Sequence, residues 1–175
     1  MTVLNDSALH HEADRGMVKP YNPLHVSPCS IDLTLGDKIL IESLDQNSNG
    51  WVEIDITNPY QLKPKQFILA TTAETVNIPD DLSAQIILRS SAARAGWNHA
   101  LAGWIDPGFR GQITLELTNQ KQLDFLQVQA GMRLVQLVCF KLNFPASTPY
   151  YKVGNYCDQV GVTPSNNNLS PIAAD

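Results

Sequence analysis

The chain has 175 residues, 43% of them hydrophobic and 17% charged, and carries a net charge of −5. That balance excludes an intrinsically disordered chain and is enough for one domain around a single core. It also argues against a general nucleic-acid surface, which needs Lys and Arg to neutralise phosphates, while leaving room for a small anion held by a few local cations.

In chain order, the opening "MTVLNDSALHHEADRG" is broken by acids and histidines and is not expected to act as a secretory signal. No apolar run reaches the roughly 18 residues of a membrane span. Residues 7–16 predict a short helix, capped by Asn5 or Asp6 and stopped by Gly16. Strands are predicted at 30–36, 38–43, 51–56, 67–78, 83–88, 112–119 and 133–142, separated by turns rich in Pro, Gly, Asn and Asp. Many short strands without alternating helices predict an all-β sandwich or barrel. The tail from about residue 160, with its run of Asn, is expected to be mobile unless a ligand or partner subunit orders it.

One helical interruption, "RSSAARAG" at 89–96, sets Ser90 and Arg94 four apart and so on one helical face. Hydroxyls and a cation at a helix start suit an anion. Ser90 or Ser91 acting only as a cap, with the arginines as surface charges, fits equally. In "LAGWIDPGFRGQITLEL" (101–117), Asp106 stands on an Asp-Pro-Gly turn and Glu116 on the polar side of an alternating strand. Two acids delivered by one turn and one strand read either as a site or as solvated surface. His99 admits both a ligand-facing and a backbone-satisfied reading. Trp97 and Trp104 read as core or interface packing. Cys29, Cys139 and Cys157 form no CxxC pair, which points to free thiols in a reducing compartment and away from a cysteine zinc site. Cys139, in an apolar strand, reads as core; His10, His11 and His25 have no metal-ligand spacing and read as surface.

Taken together, "RSSAARAG", "AGWIDPGFRGQITLEL", "GMRLVQL" and "YCDQVG", with the earlier "GMVKPYNP" and "SPCSIDLTLG", resemble the dCTP deaminase family, which is grouped with the trimeric dUTPases. The resemblance runs along nearly the whole chain in the same order. It implies a distorted β-barrel or jelly-roll subunit of the dUTPase-like type with short helices, assembled as a homotrimer with active sites at subunit interfaces. It implies deamination of dCTP to dUTP and ammonia, with Mg²⁺ carried by the triphosphate and no zinc. The alternative is the bifunctional reaction that continues to dUMP and pyrophosphate. A catalytically idle nucleotide-binding trimer, with dUTP or dTTP as further ligands, is a minor reading. The implied setting is cytoplasmic, or host cytoplasm for a viral chain, with no membrane partner.

By resemblance, Glu116 is the proton shuttle, and Ser90 and Arg94 surround the reacting end of the base. Arg89 and Ser91 match positions associated with the nucleotide and its phosphates, and Asp106 lies close to the sugar. In the related dUTPases the aspartate corresponding to Asp106 handles the attacking water. Thr114 and Leu115 belong to the strand whose backbone reads the pyrimidine edge. Gln136 matches a glutamine of dUMP-forming relatives, and Tyr150 and Gln159 match tail residues that close over the phosphates. One departure is clear: the family's tail lysine is Asn155 here, with Lys152 as a nearby substitute. Without the HxE and PCxxC ligands of zinc deaminases, a lone glutamate must move protons between water and the ring. Partial burial and Arg94 are expected to act on its pKa in opposite directions.

Overall fold

The computed structural model describes residues 2–45, 50–100 and 102–166. Among the described residues thirteen strands, three short α-helices and one 3-10 turn (Pro23–His25) follow one another. The N-terminal part runs β1 (Thr2–Val3), α1 (Asp6–Asp14), β2 (Val18–Lys19) and β3 (Val26–Ser27). Next come β4 (Ser30–Glu42), β5 (Trp51–Asp55), β6 (Tyr60–Leu62), β7 (Phe67–Asn77) and β8 (Leu82–Leu88). The second half contains α2 (Ser90–Ala95), β9 (Trp97–His99), β10 (Trp104–Ile105), β11 (Arg110–Asn119), β12 (Leu126–Val128), β13 (Arg133–Lys141) and α3 (Tyr150–Val153).

The α1 helix begins as its sequence dictates, with the Asn5 side chain accepting a hydrogen bond from the Ala8 amide at 3.1 Å. Eleven strands join one sheet whose main path is β10-β8-β13-β4-β7-β11-β9, while β6 and β12 pair separately. The sheet curls into a half barrel, so the all-β expectation holds.

The strands expected at 30–36 and 38–43 are one strand, β4, and Gly36 does not break it. The register against β7 shifts between Leu35 and Ile39, which marks an irregularity inside a continuous strand. A Cβ at Gly36 would meet the Thr71 methyl at 2.8 Å, so the glycine lets two strands approach rather than ending one. That continuity lets β4 pair with β13 through its first half and with β7 and β5 through its second.

Along β11, Ile113, Leu115 and Leu117 are buried, while Gln112, Thr114, Glu116 and Thr118 are only half-buried. Both predicted faces therefore exist, and the apolar one joins Leu33, Ile39, Ile68, Val135 and Leu137 in the core. Strands β6, β9, β10 and β12, of two or three residues each, went unpredicted because so few residues establish no period. Leu33 is fully buried at the β4–β13 contact. Leu33→Ala should cost about 2–5 kcal/mol through lost burial and a residual cavity. Denaturant unfolding of the two proteins side by side measures it.

Candidate active site

Between β8, β10, β11 and the segment after α3 lies a cleft of about 470 Å³. Small-ligand sites span roughly 300–1,000 Å³. Its walls include Leu69, Ile86, Phe109 and Ile113, and its polar lining includes Glu116, Asp106, Thr114 and His99. Tyr150, Tyr156 and Gln159 close one side. Five of the sequence-predicted residues therefore meet here: Glu116, Asp106, Thr114, Tyr150 and Gln159.

Glu116 reaches the cleft because its neighbours Leu115 and Leu117 are fully buried on the other side of the strand. Its side chain is 28% exposed. Among the described residues its Oε2 is buried without a hydrogen-bond partner. The nearest ring nitrogen, His99 Nε2, stands 3.6 Å away, beyond hydrogen-bonding distance. Burial pushes the Glu116 carboxyl above its ordinary range, opposed by a hydrogen bond from its own backbone amide. Burial likewise holds the His99 imidazolium below its ordinary range. The same desolvation drives both groups toward neutrality. The expected counter-effect of Arg94 is absent within the chain, because Arg94 does not line the cleft. His99, left open by sequence, faces the ligand space.

Asp106 sits at the start of its turn, and one oxygen, Oδ1, accepts a hydrogen bond from the Trp104 indole N–H at 3.1 Å. Trp97 is core, one of the two expectations for it, whereas Trp104 is half-exposed and lines the cleft, so it is not core. The Leu115 side chain belongs to the core, so only its backbone remains for recognition. β9 pairs with Leu117–Asn119 only, leaving that edge of β11 without a strand at Thr114 and Leu115 among the described residues.

The segment after α3 docks on β11. Gln159 bridges to Gly111, its side-chain amide donates to the Gln112 carbonyl at 2.6 Å, and the Gln112 side chain accepts from the Gly161 amide at 2.6 Å. The Thr163 amide donates to Thr114 Oγ1 at 3.3 Å. A Cβ at Gly111 would lie 2.9 Å from the Gln159 backbone, and its φ of 135° suits glycine alone. The tail expected to be mobile from about 160 is thus held along β11 as far as it is described; 167–175 lie outside the described residues. Lys152 lies 6.0 Å from the Tyr151 ring and does not line the cleft, so nothing here makes it the stand-in at Asn155.

The remaining predicted residues gather elsewhere. Ile86 lines the cleft, so by the pleat Ile87 and its cross-strand partner Gln136 face the other way. Beside Gln136 on that face is the buried Asp32, which holds Arg89 Nε at 3.1 Å and Arg133 at 3.4 Å. Gln136 itself accepts from the Ser30 hydroxyl at 3.2 Å. α2 follows directly, with Ser90, Ser91 and Arg94 all exposed. Arg89 occupies the cap position and makes no side-chain cap bond, so neither serine is used as the N-cap. Among the described residues the cleft is lined by Glu116 and Asp106 but by no Lys or Arg. Within one chain, the acids and the cations of the expected site stand apart. Sequence alone could not have shown this, because RSSAARAG and the strand carrying Glu116 are close in the chain and the separation comes from the sheet path.

The chain is thus mainly β, with an acid-bearing cleft that Arg89, Ser90, Ser91 and Arg94 do not line. The chain belongs to the dCTP deaminase-like family, whose model matches residues 3–142. A "dCTP deaminase, dUMP-forming" of Dictyoglomus thermophilum is 41% identical over 159 residues, covering 82% of this chain and 81% of that protein. Another of the same description, from Aquifex aeolicus, is 36% identical over 171 residues and covers 93% of each. In fold, the chain is similar to the crystal structure of 2'-deoxycytidine 5'-triphosphate deaminase from Agrobacterium tumefaciens, with a TM-score of 0.67, 22% identity and 79% of this chain covered. The match spans 48% of that longer chain, about half its length.

A carboxyl whose pKa is raised by folding binds its proton more tightly in the folded chain. Its contribution to stability therefore declines as pH rises from the ordinary value of 4.5 through the raised one. His99 works in the opposite direction and destabilises the fold as pH falls below 6.5. Glu116→Gln removes the first dependence, so its melting temperature relative to wild type should rise as pH is raised above 4.5. Thermal melts of both proteins across that range measure the difference.

Proposed function

We propose that this protein hydrolyses dCTP at one site in two steps, first to dUTP and ammonia and then to dUMP and pyrophosphate. The observation that carries the reading is Glu116: a half-buried carboxyl with an unpartnered buried oxygen, opening into the same cleft as Asp106. In the first step Glu116 takes a proton from the water that adds to C4 and returns it to N3. The proton of the new C4 hydroxyl then passes to the amino nitrogen, C4=O forms as the C4–N bond breaks, and ammonia leaves. A carboxyl lifted by burial toward the working pH is suited to moving a proton both ways. In the second step Asp106 takes the proton of the water that attacks the α-phosphorus. Sequence reading put dUTP first and dUMP second as the product; the relatives of the same length, named dUMP-forming, favour the second.

Two acids and no cation make the cleft of one chain a poor holder for a triphosphate, since uncompensated like charges repel. The cations come from a neighbouring subunit of a homotrimer, which sets Ser90 and Arg94 at the reacting base and brings Arg89, Ser91 and Gln136 toward the nucleotide. Thr114 and the backbone of Leu115 read the base, and Tyr150 and Gln159 close over the substrate. Among the described residues no three His, Cys, Asp or Glu side chains converge as a metal site. Mg²⁺ enters as part of the substrate, on the triphosphate. dUTP and dTTP are further ligands of the same cleft.

The test is incubation with dCTP and Mg²⁺ while ammonia, pyrophosphate and nucleotides are followed. Wild type should release ammonia and pyrophosphate in equal amounts with dUMP as product. Glu116→Gln should lose at least about 100-fold in ammonia release, the scale of a positioned proton-transfer group. Accumulating dUTP without pyrophosphate would instead mark a deaminase that stops after the first step.

A further inference from the structure

We infer that Trp104 is a positioning residue that sets the balance between the two hydrolyses by fixing the carboxylate of Asp106. The inference rests on the two-step reading above and adds a residue to its second step. In "WID" the middle residue, Ile105, is 6% exposed and belongs to the core. Trp104 and Asp106, on either side of it, both line the cleft. The indole N–H donates to Asp106 Oδ1 at 3.1 Å.

The indole is itself held. Trp104 pairs with Gln85 in the β10–β8 ladder, and its ring stacks on Phe140 with centroids 5.9 Å apart and planes at 24°. Phe140 sits on β13, opposite Ser83 of β8. Sheet and stack therefore fix the donor, and the donor fixes which oxygen of Asp106 is occupied.

The attack of water on phosphorus depends on that choice of oxygen. With Oδ1 engaged by the indole, Oδ2 accepts a proton from water. The water oxygen bonds to the α-phosphorus, and the bond from that phosphorus to the bridging oxygen breaks. Pyrophosphate departs with the electron pair, and Asp106 later releases the proton to solvent. Deamination uses Glu116 for its protons and takes none through Asp106. Loosening Asp106 should therefore slow the second hydrolysis more than the first.

The variant is Trp104→Phe, which keeps an aromatic ring to stack on Phe140 and removes the indole N–H. Ammonia and pyrophosphate are measured in the same dCTP and Mg²⁺ reaction, and pyrophosphate is measured again with dUTP supplied directly. The pyrophosphate-to-ammonia ratio should fall at least about tenfold, the scale of a hydrogen bond to a charged group, with dUTP accumulating. With dUTP supplied, the loss should appear in kcat rather than KM. Partial unfolding lowers both products together and leaves the ratio untouched, so a poorly folding variant cannot mimic the effect. A ratio that stays at the wild-type value, or two products that decline in step, overturns the role of Trp104. Wild type that releases ammonia and no pyrophosphate overturns the two-step reading and this inference with it, an outcome visible before the variant is made.

Discussion

The site depends on the pleat of one strand. β11 must keep Leu115 and Leu117 in a dry core while presenting Thr114 and Glu116 to a cleft. The two demands are compatible only because successive residues of a strand point to opposite sides. Core packing thereby locks the backbone that carries Glu116, and the carboxyl reaches the cleft without a flexible loop. The cost is a buried oxygen with no partner among the described residues, which the fold tolerates where a substrate or water can complete it.

The same pleat divides the chemistry. Strands β8 and β13 show Ile86 to the cleft and Ile87 with Gln136 to the opposite side, where Asp32 gathers Arg89 and Arg133. A lone chain thus carries carboxylates in its cleft and guanidinium groups outside it. Arg89 and Arg133 meet a carboxylate there, in the buried Asp32, and not the acids of the cleft. On the proposed reading, assembly brings the two halves together and makes the trimer a condition of catalysis rather than an addition to it.

Much of this was legible in the sequence, and the reasons are local. The alternation at 112–119 gave β11, its faces and the side on which Glu116 lies, and "RSSAARAG" gave α2. Asn5 and Gly16 gave the bounds of α1 to within two residues. What escaped was set by contacts distant in sequence. Gly36 reads as a break until Thr71 is seen against it. His99 and Trp104 become site residues only once β9 and β10, too short to show a period, pair with β11 and β8. The docking of Gln159 and Gly161 on Gln112 has no signature in a polar tail.

The central claim, that each site takes its carboxylate from one subunit and its arginine from another, is tested most directly by mixing two inactive variants. Glu116→Gln and Arg94→Ala chains are unfolded together, refolded as one mixture and assayed for ammonia release from dCTP. Random assembly at equal amounts should restore roughly a quarter of wild-type sites, since each needs an intact residue from both contributors. A mixture as inactive as its parents, with mixed assemblies verified by mass, would contradict the account and return both residues to a single chain.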